Sequence, residues 1–190
     1  ADGTTYNSTT TFDWIEGTSH SISVSSTVSA GTGKRYVWTH WSQGGSRSQT
    51  YTVSSSDQTL TAYFKTQYYL TTSVSPSGSG SVSPTSGWFD AGTTVNVEAT
   101  PAQYYEFTGW SGDASGTSNP NQVLMDRAKS VTANFKLGQV TVTITTDPSG
   151  LTIWVDGSQY TSPRNFTWTI GSYHSIRVAE SYDSAPGEQL

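Results

Sequence analysis

An all-β chain built from tandem small units is the architecture that this sequence predicts, and three observations predict it. Short runs rich in Val, Thr, Tyr, Trp and Ile alternate with clusters of Gly, Pro, Ser, Asp and Asn, which is the chemistry of strands and turns. No stretch holds apolar residues at helical spacing for three turns, so little or no helix is expected. The chain also repeats itself. Trp41 and Trp110 lie 69 residues apart, Thr61-Ala62-Tyr63-Phe64-Lys65 and Thr132-Ala133-Asn134-Phe135-Lys136 lie 71 apart, and Pro76 and Pro148 lie 72 apart. A fixed period of this length marks an array of β-sheet or β-sandwich units. The expected boundaries are 1–66, 67–137 and 138–190.

In the first unit, Thr11-Phe12-Asp13-Trp14-Ile15 reads as a strand that ends at Glu16-Gly17-Thr18. His20, Ile22 and Val24 alternate onto one face of the next strand. Ala30-Gly31-Thr32-Gly33 is a turn, Lys34 to Trp41 a strand, and Gln43-Gly44-Gly45-Ser46 a second turn. Gln49 to Ser54 and Thr59 to Lys65 are read as a closing pair, with Tyr51, Val53, Leu60, Ala62 and Phe64 inward. The middle unit opens on a strand at Tyr68 to Val74, followed by the Ser75-Pro76-Ser77-Gly78 turn. Trp88-Phe89-Asp90-Ala91-Gly92-Thr93 reads as a copy of the Trp14 to Thr18 corner. Val95, Val97 and Ala99 alternate, Tyr104 to Trp110 is a strand, and Ser111 to Asn121 is a long polar loop. Gln122 to Met125 and Lys129 to Lys136 close the unit.

The third unit alternates Val140, Val142 and Ile144, turns at Asp147-Pro148-Ser149-Gly150, and alternates Leu151, Ile153 and Val155. It matches the first unit at an offset of 154: Asp2 with Asp156, Tyr6 with Tyr160, Phe12 with Phe166, Trp14 with Trp168, Gly17 with Gly171 and His20 with His174. The order of units is therefore A-B-A. The two A copies read as complementary fragments, and the chain, which opens mid-pattern at Ala1-Asp2-Gly3, reads as a processed product or an excised piece of a longer array.

Composition excludes several classes of function. The chain has 190 residues, only 12% of them charged, and a formal net charge of −5. Its nine basic residues are scattered singly, with no stripe to neutralise phosphates or meet an anionic membrane surface, so neither nucleic acid nor membrane insertion is expected. With 13% aromatic residues it is not a disordered chain. No cysteine is present, which removes disulfides and thiolate chemistry. A Ser/Thr/Gly-rich, Trp/Tyr-rich composition of low charge suits an exported protein, so an extracellular or cell-surface location is expected. Asn7-Ser8-Thr9 and Asn165-Phe166-Thr167 match the glycosylation sequon, making Asn7 and Asn165 acceptor candidates.

The middle unit resembles the divergent internalin-B-type repeats of bacterial surface and secreted proteins. The resemblance lies in Pro76-Ser77-Gly78-Ser79-Gly80-Ser81-Val82, Ala91-Gly92-Thr93-Thr94-Val95, Ala99-Thr100-Pro101, Phe107-Thr108-Gly109-Trp110-Ser111-Gly112-Asp113 and Lys129-Ser130-Val131-Thr132-Ala133-Asn134-Phe135. It departs at Ala102-Gln103-Tyr104-Tyr105, where that family usually has a glycine before the tyrosine. The flanking A units, through Asp147-Pro148-Ser149-Gly150 and Val155-Asp156-Gly157, are similar to PEGA-type surface repeats. Both resemblances imply exported modular proteins with non-catalytic repeats that serve as spacers or adhesive stalks, or that accompany secreted hydrolases.

Candidate chemistry is sparse. Gly109-Trp110-Ser111-Gly112 falls short of a nucleophile elbow, because Asp113 stands where glycine is needed and no helix follows. His20 and His174 are equivalent to each other but lack converging partners at zinc spacing, so each is read as a strand-edge histidine hydrogen-bonded to backbone. Asp113, Ser115, Asn119 and Asp126 do not form a calcium loop. No catalytic residue, metal site or cofactor is expected. Tryptophans that recur in each copy (Trp14, Trp88 and Trp168; Trp41 and Trp110) are read as packing residues. Trp154 and Tyr63 point away from their inward neighbours and have Val82 and Asn134 as counterparts. They are the candidates for exposed binding aromatics.

Three readings of function follow. The first is a non-catalytic structural or adhesive repeat segment, a semi-rigid spacer or stalk, because the joints at Lys65-Thr66-Gln67 and Lys136-Leu137-Gly138 are very short. The second is a carbohydrate-binding accessory module of a secreted hydrolase. The third is a subunit of an extracellular fibre, joined head-to-tail by β-strand complementation between the incomplete end units. The expected partners are neighbouring repeat units or copies of the chain itself, or a polysaccharide.

Overall fold

The structure, a computed structural model, describes residues 1–179. The last part of the predicted third unit, residues 180–190, lies outside the described residues. Every regular element among the described residues is a strand: β1 (Ser19–Ser23), β2 (Thr27–Ser29), β3 (Lys34–Trp41), β4 (Ser48–Thr52), β5 (Ala62–Ser75), β6 (Gly80–Ser83), β7 (Gly87–Asp90) and β8 (Thr94–Pro101). They continue with β9 (Tyr105–Gly112), β10 (Asn121–Leu124), β11 (Lys129–Leu137), β12 (Gln139–Ile144), β13 (Thr152–Val155), β14 (Ser158–Thr161), β15 (Arg164–Thr169) and β16 (Ile176–Val178). The all-β reading holds.

The middle unit is a sandwich. One layer has the strand order β10-β8-β6, and the other contains β5, β11 and β9, with β7 on β5. Period-2 alternation puts Val95, Val97, Ala99 and Val123 on the inner face of the first layer. Leu70, Val131, Ala133 and Phe135 line the second, and Met125 and Trp110 complete a core in which Leu70, Val97, Met125 and Val131 are fully buried. Most of its strand contacts are antiparallel, but β11 runs parallel to β5, from Lys129 opposite Leu70 to Asn134 opposite Ser75.

The first unit follows the same plan with strands missing. Residues 49–54 and 59–65, read as one closing pair, go to different layers: β4 pairs with β1, and β5 pairs with β3. Thr11 to Ile15 carries no ladder at all. The strand that would hold it is the equivalent of β12, which pairs with β15, the counterpart of residues 10–15. In the third unit β12 pairs with β15, and β13 lies between β14 and β16.

The repeat extends to irregular backbone. Where β3 meets β5 the register slips at Thr39, and Thr39 Oγ1 donates to Tyr63 O at 2.9 Å. Where β9 meets β11 it slips at Thr108, and Thr108 Oγ1 donates to Asn134 O at 3.0 Å. Trp41 and Trp110 are buried as expected, and each indole N–H donates to a loop carbonyl, of Arg47 and of Ser118. Tyr104 has φ 70°, and Gly33 at the equivalent place in the first unit has φ 68°. The glycine that the internalin-B-type repeats usually carry there answers a left-handed backbone, and here a tyrosine occupies it.

One alignment made from sequence is corrected. Phe89 faces Tyr68 across β7 and β5, as Trp168 faces Val140 across β15 and β12. The counterpart of Trp14 and Trp168 is therefore Phe89, and Trp88 lies on the outer face, against Tyr69 and the Arg35 guanidinium. Phe89 stands three residues before Gly92, as Trp14 and Trp168 stand three before Gly17 and Gly171, whereas Trp88 stands four before it.

The joint between the first two units is no linker. The strand β5 runs 14 residues through it, pairing with β3 over Ala62 to Tyr68 and with β11 from Leu70 to Ser75. At the next joint Gly138 is one extra residue, and the equivalent run is broken into β11 and β12. Both joints keep one hydrogen bond in common: Ala91 N donates to Thr66 O, and Ile170 N donates to Gly138 O, each at 2.9 Å.

Candidate functional site

The densest polar cluster outside the cores occurs twice. In the third unit, the two-residue Asp156-Gly157 turn between β13 and β14 has φ 49° and 79°, the backbone of a type I′ hairpin, which Asp-Gly favours. This turn aims the Asp156 carboxylate at the start of the last strand. It accepts from Ser175 N at 2.9 Å and from His174 Nδ1 at 2.6 Å. The other ring nitrogen, Nε2, lies 2.7 Å from Ser172 Oγ. That hydroxyl sits on the Gly171 corner (φ 83°) and donates to Thr169 O at 2.7 Å.

The first unit repeats each contact. Asp2 meets His20 Nδ1 at 2.7 Å and Ser21 N at 2.8 Å, His20 Nε2 lies 2.9 Å from Thr18 Oγ1, and Thr18 donates to Ile15 O at 2.6 Å. Each imidazole is stacked on an indole, with centroids 4.0 Å apart for both Trp14–His20 and Trp168–His174. Phe12 or Phe166 stacks on the other side of the ladder, and Tyr6 or Tyr160 caps it edge-on. The histidines are thus held by a carboxylate and a hydroxyl, and the backbone contact expected of them belongs to Asp and to Ser or Thr.

Order in the hydrogen-bond chain decides the chemistry. Nδ1 faces the carboxylate and Nε2 faces the hydroxyl, and each hydroxyl also lies within donating distance of a backbone carbonyl. The order is that of an Asp–His–serine triad, but each hydroxyl here has a backbone carbonyl as a second acceptor, which competes with the imidazole for the proton that a triad serine gives up. Every member is satisfied from within, so the arrangement staples a turn, a corner and a strand together. The Asp2 and Asp156 carboxyls are held below the ordinary carboxylate range, first by the histidine hydrogen bond and then by the serine backbone N–H. The middle unit keeps the corner, with Thr93 Oγ1 donating to Asp90 O at 2.7 Å, but has Val95 at the histidine position and Pro84 at the aspartate position. Aspartate and histidine are present together or absent together. The sequence signal for this pairing was the shared 154-residue offset of Asp-Gly and His, which sequence reading left unconnected.

The predicted binding aromatics are placed apart. Trp154 lies half-buried on the central strand β13, opposite in direction to the buried Ile153 and Val155, with the Arg177 guanidinium 4.7 Å from its ring. Tyr63 is exposed on the outer face of β5, stacked on His40 at 4.7 Å. Nothing brings these two into one site. On the same outer face a shallow cleft lies at the first joint, lined by Tyr69, Trp88, Thr71, Asp113 and Lys129. Beside it Lys65 and Gln67 both donate to Asp90, and Arg35 donates to Gln67. These two donors, Lys65 first, lower the Asp90 carboxyl.

The 111–121 loop is occupied by its own contacts. Asp113 pairs with Arg127 and accepts from Ser130 N, Asn119 bridges both Ala99 N and O, and Asp126 pairs with Lys129. Asn7 and Asn165 are exposed; Asn165 Oδ1 accepts from Thr143 across the β12–β15 pair.

The fold and these closed contacts define an all-β repeat protein whose polar clusters hold chain segments together. Within it, residues 70–139 match the family model of the divergent InlB B-repeat domain. That family is typical of bacterial surface or extracellular proteins, and its repeats are generally non-catalytic. The likeness of the flanking units to PEGA-type repeats is an expectation of their sequence. No curated protein and no solved structure gives a significant match to the chain.

Proposed function

We propose that this chain is a non-catalytic structural or adhesive segment of a secreted or cell-surface protein, working as a semi-rigid spacer. One observation carries the reading: β5 belongs to two units at once, so bending at that joint requires breaking ladder hydrogen bonds rather than rotating a free linker. The closed Asp–His–hydroxyl staples and the single resemblance to surface repeats support it. A glycan-binding role finds less support, since Arg177 covers a face of Trp154, Arg35 a face of Trp88, and His40 a face of Tyr63. Small-angle X-ray scattering on the monomer tests the spacer. A single extended form is expected to fit the data, with resistance to limited proteolysis at residues 62–75. A broad distribution of sizes, or early cleavage within that stretch, would overturn the reading.

A further inference from the structure

We infer that the middle unit bears tension between its neighbours, with the parallel β5–β11 ladder as the clamp that carries the load. The inference rests on reading the chain as a segment of a secreted or cell-surface protein, where an array held between an anchor and a bound surface is pulled along its length. What it adds is the direction of the load and the strands that meet it.

Where the chain enters and leaves the unit decides how force arrives. It enters from the first unit along β5 and leaves towards the third along β11. These two strands are neighbours and run parallel, with Leu70 opposite Lys129 at one end of the ladder and Ser75 opposite Asn134 at the other. Pulling on the chain draws β5 back from its Leu70 end and β11 forward from its Asn134 end. The two load points lie at opposite ends of the ladder, so the strands are dragged lengthwise past each other and all six residue pairs are strained together. Had the same strands been antiparallel, both loads would fall at one end, and the ladder would open one pair at a time. Resistance to forced unfolding is set by the unfolding barrier, and shear raises that barrier because no pair yields alone.

The clamp is also held against sliding. Leu70, Val131 and Ala133 are fully buried on its inner face, so a slip of one residue would turn Leu70 out of the core. The same packing keeps water from the inner side of the ladder. On the outer face the Ser73 and Thr132 hydroxyls meet across the strands at 2.7 Å, and Ser73 Oγ donates to Val131 O at 3.4 Å. Each strand is tied to the body of the unit on its far edge, β5 by β7 from Gln67 to Leu70 and β11 by β9 from Val131 to Leu137. Because β5 crosses the first joint unbroken, load from the first unit reaches Leu70 along the strand itself.

Single-molecule pulling tests this, and the absence of cysteine gives each handle a single point of attachment. Two geometries share one handle, on a cysteine appended before Ala1. In the first, the other handle is on a cysteine appended after Leu190, in a chain that carries Arg127→Ala. In the second it is on Arg127→Cys, an exposed position in the connection before β11, so that the load falls on the Leu70–Lys129 end and the ladder peels. Both chains lack the Arg127–Asp113 pair, so a difference in force between them reports the direction of pulling. The first geometry is expected to show a step of about 20 nm, the extended length of the chain from Leu70 to Asn134 less its folded span. The force at that step is expected to be several-fold higher than the force that opens the unit in the second geometry. Equal forces in the two geometries, or no step of that length in the first, would overturn the inference. Scattering from the free monomer tests the spacer reading separately: a flexible joint would sink that reading without touching a force difference within the unit, and equal forces would leave the spacer standing.

Discussion

Tyr104 holds a left-handed backbone that costs an ordinary L-residue about 1–2 kcal/mol, and its side chain is exposed, so little packing is given in return. Gly33 does the same work in the first unit without a Cβ. Tyr104→Gly should raise stability by about 0.5–1 kcal/mol, the strain relieved being partly offset by the greater freedom of glycine in the unfolded chain. Urea denaturation would show it, and an unchanged or lower midpoint would contradict it. Asp2 and Asp156 make a pH-dependent contribution. Their carboxyls titrate below the unfolded value because of His20 and His174, so the folded state gains from them at neutral pH and loses that gain as pH falls through the lowered values. The Asp2→Asn/Asp156→Asn variant should be less stable than the natural chain at neutral pH. The two denaturation curves should converge below about pH 4, the ordinary range for aspartate. At this scale the sequence was partly legible. The recurrence of Trp41 and Trp110 marked them as packing residues, but nothing local tied His174 to an aspartate 18 residues away.

At the scale of elements, strands with alternating faces were read well. Residues 34–41 and 129–136 coincide with ladders to within a residue. Pairing partners were less legible, because alternation fixes which face a strand buries and says nothing of which neighbour it joins. Residues 11–15 alternate as a strand should, yet they have no ladder among the described residues, since a strand is a property of a pair. Trp88 went astray for a related reason: a one-residue difference at the corner moves it to the outer face, where it meets Arg35 and Tyr69. The long strand β5 carries its own prediction. Thr66 lies at its middle, opposite Tyr36, and accepts from Ala91 N. Thr66→Pro puts a proline ring into a strand flanked on both sides, by Tyr36 and by Ala91, where proline is rarely tolerated, and should cost about 2–3 kcal/mol. If β5 couples the two units, calorimetry should also show one transition in the natural chain become two in the variant. A single transition of undiminished cooperativity would argue that the units were coupled by something else.

For the whole molecule, an array of all-β units could be read from spacing alone, because Trp41 recurs at Trp110, the block at residues 61–65 recurs at 132–136, and the Gly-Ser/Thr corner recurs in all three units. Continuity between units could not. A run such as Lys65-Thr66-Gln67 looks like a short linker on composition, and only the pairing on both sides of it shows an unbroken strand. The two joints then differ by a single residue, and the difference has a consequence for how such arrays can be assembled. From Phe64 to Tyr68 the inner face returns after an even number of residues, whereas from Phe135 to Val140 it returns after an odd number. In an uninterrupted strand that mismatch of parity would turn Val140, Val142 and Ile144 outward. Gly138 absorbs the odd step: it is buried, and the space about it is narrow, with Tyr104 O and the Glu106 carboxylate each within 3.5 Å of where a Cβ would sit. A glycine at the joint thus acts as a phase corrector. It lets repeats whose lengths are out of step be strung on one chain, each still presenting its apolar side to its own core.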